Sequence, residues 1–402
     1  MTSNMMLEFI NSHTYDIRQT NNGRWIDQKC AFDSVTFVAD CIINYLDEGG
    51  EQPFQSPNIW HQDYSMTYVQ ALFGKPNPTL DTTMDEYNKF FRQPMKMLAA
   101  AGILSEKKEG ITIQFSVKNM DALRFIAIRE RNSFEFLCAY IEKTLKDSGL
   151  WDPFASFFDE QTQERFDECK NSFWLFCKNN TPIGTSIEAG RIFTKVLNPL
   201  ACKYRKRGTM RGRLSPYVIT LDNLRYNKAN FIDEYRGKDK SIARGDFLQP
   251  TVPSYSDYMV ARAIRNLRRF NDRYNNGRSE VIDLLARGPA THMHHIFPRS
   301  QYPGIAAYME NIIALTSGQH LQEAHPNGNT QVINREFQYM CLICKAGNIQ
   351  KNLTGGFGED VVYSFADFMY VLDVGLSTDY FESLAENDFN SVMSGIDFNY
   401  QL

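Results

Sequence analysis

The chain has 402 residues, 43% of them hydrophobic and 13% aromatic, which is apolar mass enough for two or three packed cores and excludes a disordered chain. No apolar run reaches the roughly 18 to 20 residues of a membrane helix, and the N-terminal stretch MTSNMMLEFINSHTYD has neither a basic leader nor a long apolar centre, so a soluble, cytoplasmic protein is expected. The net charge of −4 hides an asymmetry: between Lys203 and Arg273 there are 17 Lys and Arg against 7 Asp and Glu, a local balance of +10 that leaves −14 elsewhere and points to a polyanionic partner.

In chain order, residues 31–47 (AFDSVTFVADCIINYLD) carry apolar side chains at helical spacing up to Gly49-Gly50, which predicts a helix followed by a loop. A polar, Pro-containing stretch runs from Gln52 to Thr83. A second helix is predicted from Met84 to Ala101, with Asp85 and Glu86 in its first turn and Gly102 as its stop. GILSEKKEGITIQFSV then reads as two short strands joined by a charged Glu-Lys-Lys-Glu-Gly turn. A helix followed directly by a two-stranded wing is the order of a winged-helix module, and PMKMLAAAGIL looks like part of one.

Residues 119–200 are predicted to be mainly helical, with aromatic stripes in NSFEFLCAYIEKTL and NSFWLFCK that belong to the core. The next segment, CKYRKRGTMRGRLSPYV, is different. Lys203, Arg205, Lys206, Arg207, Arg211 and Arg213 make six of eleven residues basic, two glycines break any helix, and the run contains no acid. Guanidinium groups on an exposed, flexible loop suit bidentate phosphate contacts. A helix predicted from about Tyr255 to Tyr274 repeats the theme with Arg262, Arg265, Arg268, Arg269 and Arg273, of which 262, 265 and 269 share a face.

The eight cysteines are scattered without repeated CxxC pairs and read as reduced, mostly buried thiols; CLIC at Cys341–Cys344 reads as core. Histidine carries the sharper signal. Five of the seven lie between 292 and 325. Clustered imidazoles repel one another when protonated and each neutral ring needs a hydrogen-bond partner or a metal. HMHHIFPRS reads as a short strand ending at Pro298, so that His294 and His295 stand at the strand end. After a loop, Asn311 precedes the apolar strand Ile312 to Leu315, and His320 opens a segment that HLQEA predicts to be a helix.

This order resembles the HNH endonucleases, whose pattern is Asp/His-His-Ile-x-Pro, a loop, Asn-Leu-x-x-Leu, and a His or Asn nine residues past that asparagine. The matching positions here are His294, His295, Ile296, Pro298, Asn311, Ile312, Leu315 and His320, over some 30 to 60 residues. Thr316 and Gln319 stand where cysteines often hold a structural zinc, so a zinc-stapled version is not expected. The resemblance implies a ββα-metal fold that hydrolyses phosphodiester bonds. His295 would be the general base, Asn311 would bond across the loop and orient it, and His294 and His320 would hold one divalent cation, Mg²⁺ first, with Mn²⁺ or another transition metal able to replace it. Arg299, just after the motif, would clamp a phosphate or stand as a plain surface arginine. His325 lies five residues past His320, about 140° round an ideal helix, and would share the metal only if the helix ended at HPNGN. His292 shares the strand face of His294, as an outer contact to the site or to DNA, or as a plain surface residue.

The expected architecture is therefore α+β, mainly helical and multidomain: a helical, winged-helix-like DNA-recognition domain at 1–150, a helical and basic central region at 151–254, and a nuclease domain at 255–402. The expected function is a sequence-specific, type II restriction-like endonuclease on double-stranded DNA, working as a homodimer. A modification-dependent or other anti-phage nuclease, an RNA substrate, and a winged-helix regulator with a structural metal are the alternatives.

Overall fold

The apolar periodicity of residues 31–47 produces the helix Phe32–Asp47, whose side chains are buried from Phe32 through Asn44. It is the axis of the first of two units, Met1–Pro253 and Ser254–Leu402, in a computed structural model that describes residues 1–226, 255–325, 333–358 and 360–400. The chain is α+β and mainly helical, with three two-stranded antiparallel sheets among the described residues. The last part of the expected central region, 227–254, and the residues just after His325 lie outside the described residues.

In the first unit the Phe32–Asp47 helix packs against helices Met84–Ala100, Met120–Ile128 and Glu130–Asp147. Gly102, at φ 82°, takes the left-handed conformation that ends Met84–Ala100. The hairpin follows as β1 (Leu104–Glu109) and β2 (Thr112–Val117), but its turn is Gly110-Ile111. The charged run assigned to the turn is instead the outer part of β1, where Glu106 to Glu109 stand away from the core and need no apolar face. Phe54 adds a bridge to this sheet, exchanging backbone hydrogen bonds of 2.8 and 2.9 Å with Phe115. The order is thus helix, one bridging residue, short helices Ser56–Trp60 and Asp63–Phe73, helix Met84–Ala100, hairpin.

Of the aromatic stripes, Phe136 and Tyr140 of Glu130–Asp147 and Phe173 of Gln163–Asn180 are buried while Leu175 is exposed, and helices Trp151–Asp159 and Ser186–Lys203 add the buried Phe154, Phe157 and Phe193. The basic run after them is not a flexible loop. It forms β3 (Arg207–Met210) and β4 (Arg213–Val218), joined by Arg211 and Gly212 at φ 52° and 76°, the pair of positive φ values that a type I′ turn requires. Asn198 holds this hairpin to its helix by accepting from Thr209 N–H at 2.8 Å and donating to Thr209 O at 3.0 Å. A Cβ at Gly208 would meet Asn198 Oδ1 at 2.4 Å, so the close approach needs glycine.

The second unit contains the helices Tyr255–Asn275, Arg335–Leu353, Phe365–Leu376 and Phe389–Tyr400 around one hairpin, β5 (His292–His295) with β6 (Ile312–Leu315). All four residues of β6 are buried. The loop ahead of β5 is tied to β6 by Glu280, whose N–H donates to Ala314 O and whose carboxylate accepts from Ala314 N–H, both at 2.9 Å. The same carboxylate pairs at 2.8 Å with Lys345, a fully buried lysine of Arg335–Leu353. The eight cysteines are free thiols, six buried and two half-buried, and burial pushes Cys30 and Cys177 up to about 12. No helix among the described residues is long and apolar enough to cross a membrane.

Candidate metal centre

β5 is only four residues long, and strand alternation divides its histidines: His292 and His294 share one face, and His295 takes the other. On the first face the His294 ring stands edge-on to His320 at 5.3 Å and to His325 at 5.1 Å, and the latter two rings meet at 4.9 Å. One ring nitrogen from each of the three lies within 4.8 Å of the others. His292 stacks on His320 at 4.5 Å and 18°, and its Nδ1 lies 3.0 Å from the Thr291 hydroxyl.

His325 joins this set because residues Gln319–Ala324 are not an α-helix. They form one turn of π-helix, ending at His325, whose N–H donates to His320 O at 3.2 Å. An i to i+5 hydrogen bond makes five residues about one turn, so the two rings return to one side of the backbone. The 140° separation expected from α geometry does not arise. The turn stops at Ala324, the condition under which His325 would share the metal.

Thr316 and Gln319, in place of cysteines, hold this turn by hydrogen bonds. Thr316 N–H donates to Gln319 Oε1 at 3.1 Å, Gln319 N–H donates to Thr316 Oγ1 at 3.2 Å, and Gln319 Nε2 reaches Val281 O at 2.9 Å.

The electrostatics keep two of the three rings, His294 and His320, unprotonated. Burial, reinforced by the neighbouring rings, lowers His294 to about 3 and His320 to about 4. His320 Nδ1 is buried with no hydrogen-bond partner among the described residues, an uncompensated nitrogen that a cation would engage. Three convergent imidazoles with one orphaned nitrogen fit a divalent metal ion, and the third imidazole favours Mn²⁺, Co²⁺, Ni²⁺ or Zn²⁺ over the oxygen-seeking Mg²⁺.

On the opposite face, His295 Nε2 lies 2.9 Å from the carbonyl of Ala306, which fixes Nε2 as the protonated nitrogen and leaves Nδ1 as an acceptor. Burial lowers the His295 pKa, the Ala306 bond partly opposes this, and nearby Arg299 adds to the lowering. Asn311, fully buried, closes the loop that carries Ala306: its Oδ1 accepts from Phe297 N–H at 2.8 Å and its Nδ2 donates to Phe297 O at 3.0 Å and Ile305 O at 3.3 Å.

The structure brings His294, His295, His320 and Asn311 together on or beside β5 and β6, and adds His325. The basic residues are distributed otherwise. Arg299 is ion-paired with Asp257 at the start of Tyr255–Asn275. On that helix Arg262 is buried over the Tyr258 ring and Arg273 pairs with Asp360, so its arginines are not one exposed stripe; Arg268 reaches Thr291 O, just ahead of β5, at 3.4 Å. In the first unit, Lys203 pairs with Glu142 at 2.6 Å and Arg207 donates to the Gln161 carbonyl. An acid distant in sequence therefore neutralises part of a run that has none of its own. Arg205, Arg211 and Arg213 are exposed, and Lys206 is half-buried.

Comparison with known proteins finds no family model, no curated protein and no solved structure that matches the chain.

Proposed function

We propose that the chain is a metal-dependent endonuclease of the HNH kind acting on double-stranded DNA, with sequence-specific cleavage by a homodimer as its mode of action. The observation that carries this reading is the division of labour across β5. One face offers three convergent imidazoles to a cation, and the adjacent residue on the other face, His295, is a neutral imidazole with its tautomer fixed by Ala306. A structural metal site needs the first feature and has no use for the second.

His294, His320 and His325 would hold the ion, which when bound supplies charge neutralisation at a scissile phosphate and its leaving oxygen. His295 Nδ1 takes the proton of the attacking water, and Ala306 O stabilises the imidazolium that results through the Nε2–H bond. Asn311 keeps that carbonyl in place by clamping residues 297 and 305, so the base cannot swing away from the water. In the first unit, the order helix, bridge, two short helices, helix, hairpin with Phe54 paired to Phe115 supports a winged-helix module that reads DNA.

The test is incubation of the purified protein with phage-sized DNA, unmodified and modified, under Mg²⁺, Mn²⁺ or EDTA, beside His295→Ala. Discrete metal-dependent fragments, absent in the variant while DNA binding persists, are expected. DNA binding without cleavage under every metal would replace the enzyme by a regulator with a structural metal.

A further inference from the structure

The first unit contains a cavity of about 840 Å³ that the metal centre does not use. Its walls are the helix Ser186–Lys203, the β3/β4 hairpin with its Arg211-Gly212 tip, and the chain around Phe32 and Tyr226. The volume lies within the roughly 300 to 1,000 Å³ of small-molecule sites.

Five lining residues are basic and none is acidic: Lys29, Arg191, Lys195, Arg211 and Arg225. Two of these have partners in the protein, Lys29 with Glu86 and Arg225 with Glu130. The side chains of the other three, Arg191, Lys195 and Arg211, make no hydrogen bond or ion pair among the described residues. Arg191 and Lys195 stand four apart on one helix face, a like-charge pair that costs stability unless an anion lies between them. Burial lowers the Lys195 pKa, and the buried Asp33 carboxylate only partly offsets this. Beside the cations, the half-buried Phe134 ring and the exposed rim residue Tyr217 supply flat apolar surface.

We infer that this cavity is a nucleotide-binding site, in which Arg191, Lys195 and Arg211 receive the phosphate and the aromatic wall receives the base. A free mononucleotide and a nucleotide swung out of a DNA strand present the same chemistry. The second source rests on the nuclease reading; the first does not.

Calorimetric titration of the full chain with the four deoxynucleoside 5′-monophosphates, their nucleosides and inorganic phosphate addresses the free source. The arms are parent, Lys195→Gln, Arg191→Gln on the exposed helix face, Arg213→Gln outside the cavity, and His320→Ala at the metal centre, with circular dichroism to verify folding. At least one monophosphate is expected to bind about tenfold more tightly than its nucleoside or phosphate alone, and to lose about tenfold in each cavity variant but not in the two controls. Duplexes scanned with 2-aminopurine address the second source: fluorescence that rises with the parent and not with either cavity variant supports an extruded nucleotide even where free ones do not bind. No response in either arm, phosphate binding as tightly as every nucleotide, or binding indifferent to both cavity variants overturns the inference. Nucleotide binding that survives in a protein without cleavage would retain the site and remove the nuclease reading alone.

Discussion

His325 donates its backbone N–H to the carbonyl of His320 across 3.2 Å, and this one hydrogen bond brings the third imidazole to the cluster. His325→Ala is therefore expected to weaken Mn²⁺ or Zn²⁺ binding strongly, by about 10- to 100-fold or more, since that is the loss already seen when residues merely supporting a ligand are removed. His292→Ala, which removes a ring stacked on His320 and no member of the triad, should cost far less. Calorimetry with each ion decides it, and equal losses in the two variants would remove His325 from the ligand set.

Asn311 acts on the loop, not on the metal. Asn311→Ala leaves the buried Phe297 N–H and carbonyl without their partners, at about 1–3 kcal/mol for each group, and frees the segment that positions Ala306. Urea denaturation should show that loss, cleavage should fall, and metal affinity should stay close to that of the parent. A variant whose metal affinity collapses in step with its activity would make Asn311 part of the metal site's support.

Glu280 and Lys345 form a buried ion pair that fastens β6 to a helix. Removing one partner strands the other charge, so Lys345→Met should destabilise the second unit by about 3–5 kcal/mol. Lys345→Met with Glu280→Gln together should recover part of this. A double variant that is no more stable than the single one would place the cost in lost packing.

The Asp33 carboxyl, buried and facing Glu130, is pushed up to about 6, against roughly 3.9 in an unfolded chain. The folded protein thus holds a proton that the unfolded chain has released, and the contribution of Asp33 to stability is present below about pH 4 and lost as pH rises through about 6. Asp33→Asn can still accept from Ser34 N–H and Tyr226 N–H, and should flatten this slope and be the more stable protein at pH 8. Denaturation at pH 4.5, 6 and 8 checks it; an unchanged slope assigns the dependence to another group.

Helices with strong apolar periodicity, such as Phe32–Asp47 and Met84–Ala100, were legible to within a residue because the pattern and the Gly102 stop express the same geometry. The charged residues of β1 were not, because a strand that projects into solvent carries no apolar alternation. In the site, His294, His320 and Asn311 were legible only through their match to the HNH pattern, and the structure places them on or beside β5 and β6. His325 required a turn of π-helix, which has no local signature in HLQEAH, and the fixed tautomer of His295 required the fold to deliver Ala306 from eleven residues away. Partners such as Glu142 for Lys203 join distant segments and leave no trace in local sequence.

That last pairing separates the basic residues by their expected effect on DNA. Lys203 and Arg207 are held by Glu142 and the Gln161 carbonyl, whereas Arg205, Arg211 and Arg213 are exposed. Each phosphate contact contributes about 0.9 to the slope of log affinity against log salt. Replacing Arg205, Arg211 and Arg213 with glutamine should therefore lower the slope by about 2 to 3, and replacing Lys203 and Arg207 should lower it by less than about 1. Fluorescence anisotropy on one duplex between 50 and 300 mM salt, roughly the range over which such slopes are resolved, makes the comparison. If the engaged pair flattens the slope as much as the exposed three, DNA must break the Glu142 and Gln161 contacts on binding. If neither set changes it, the phosphate-binding surface of the protein lies outside the β3/β4 hairpin.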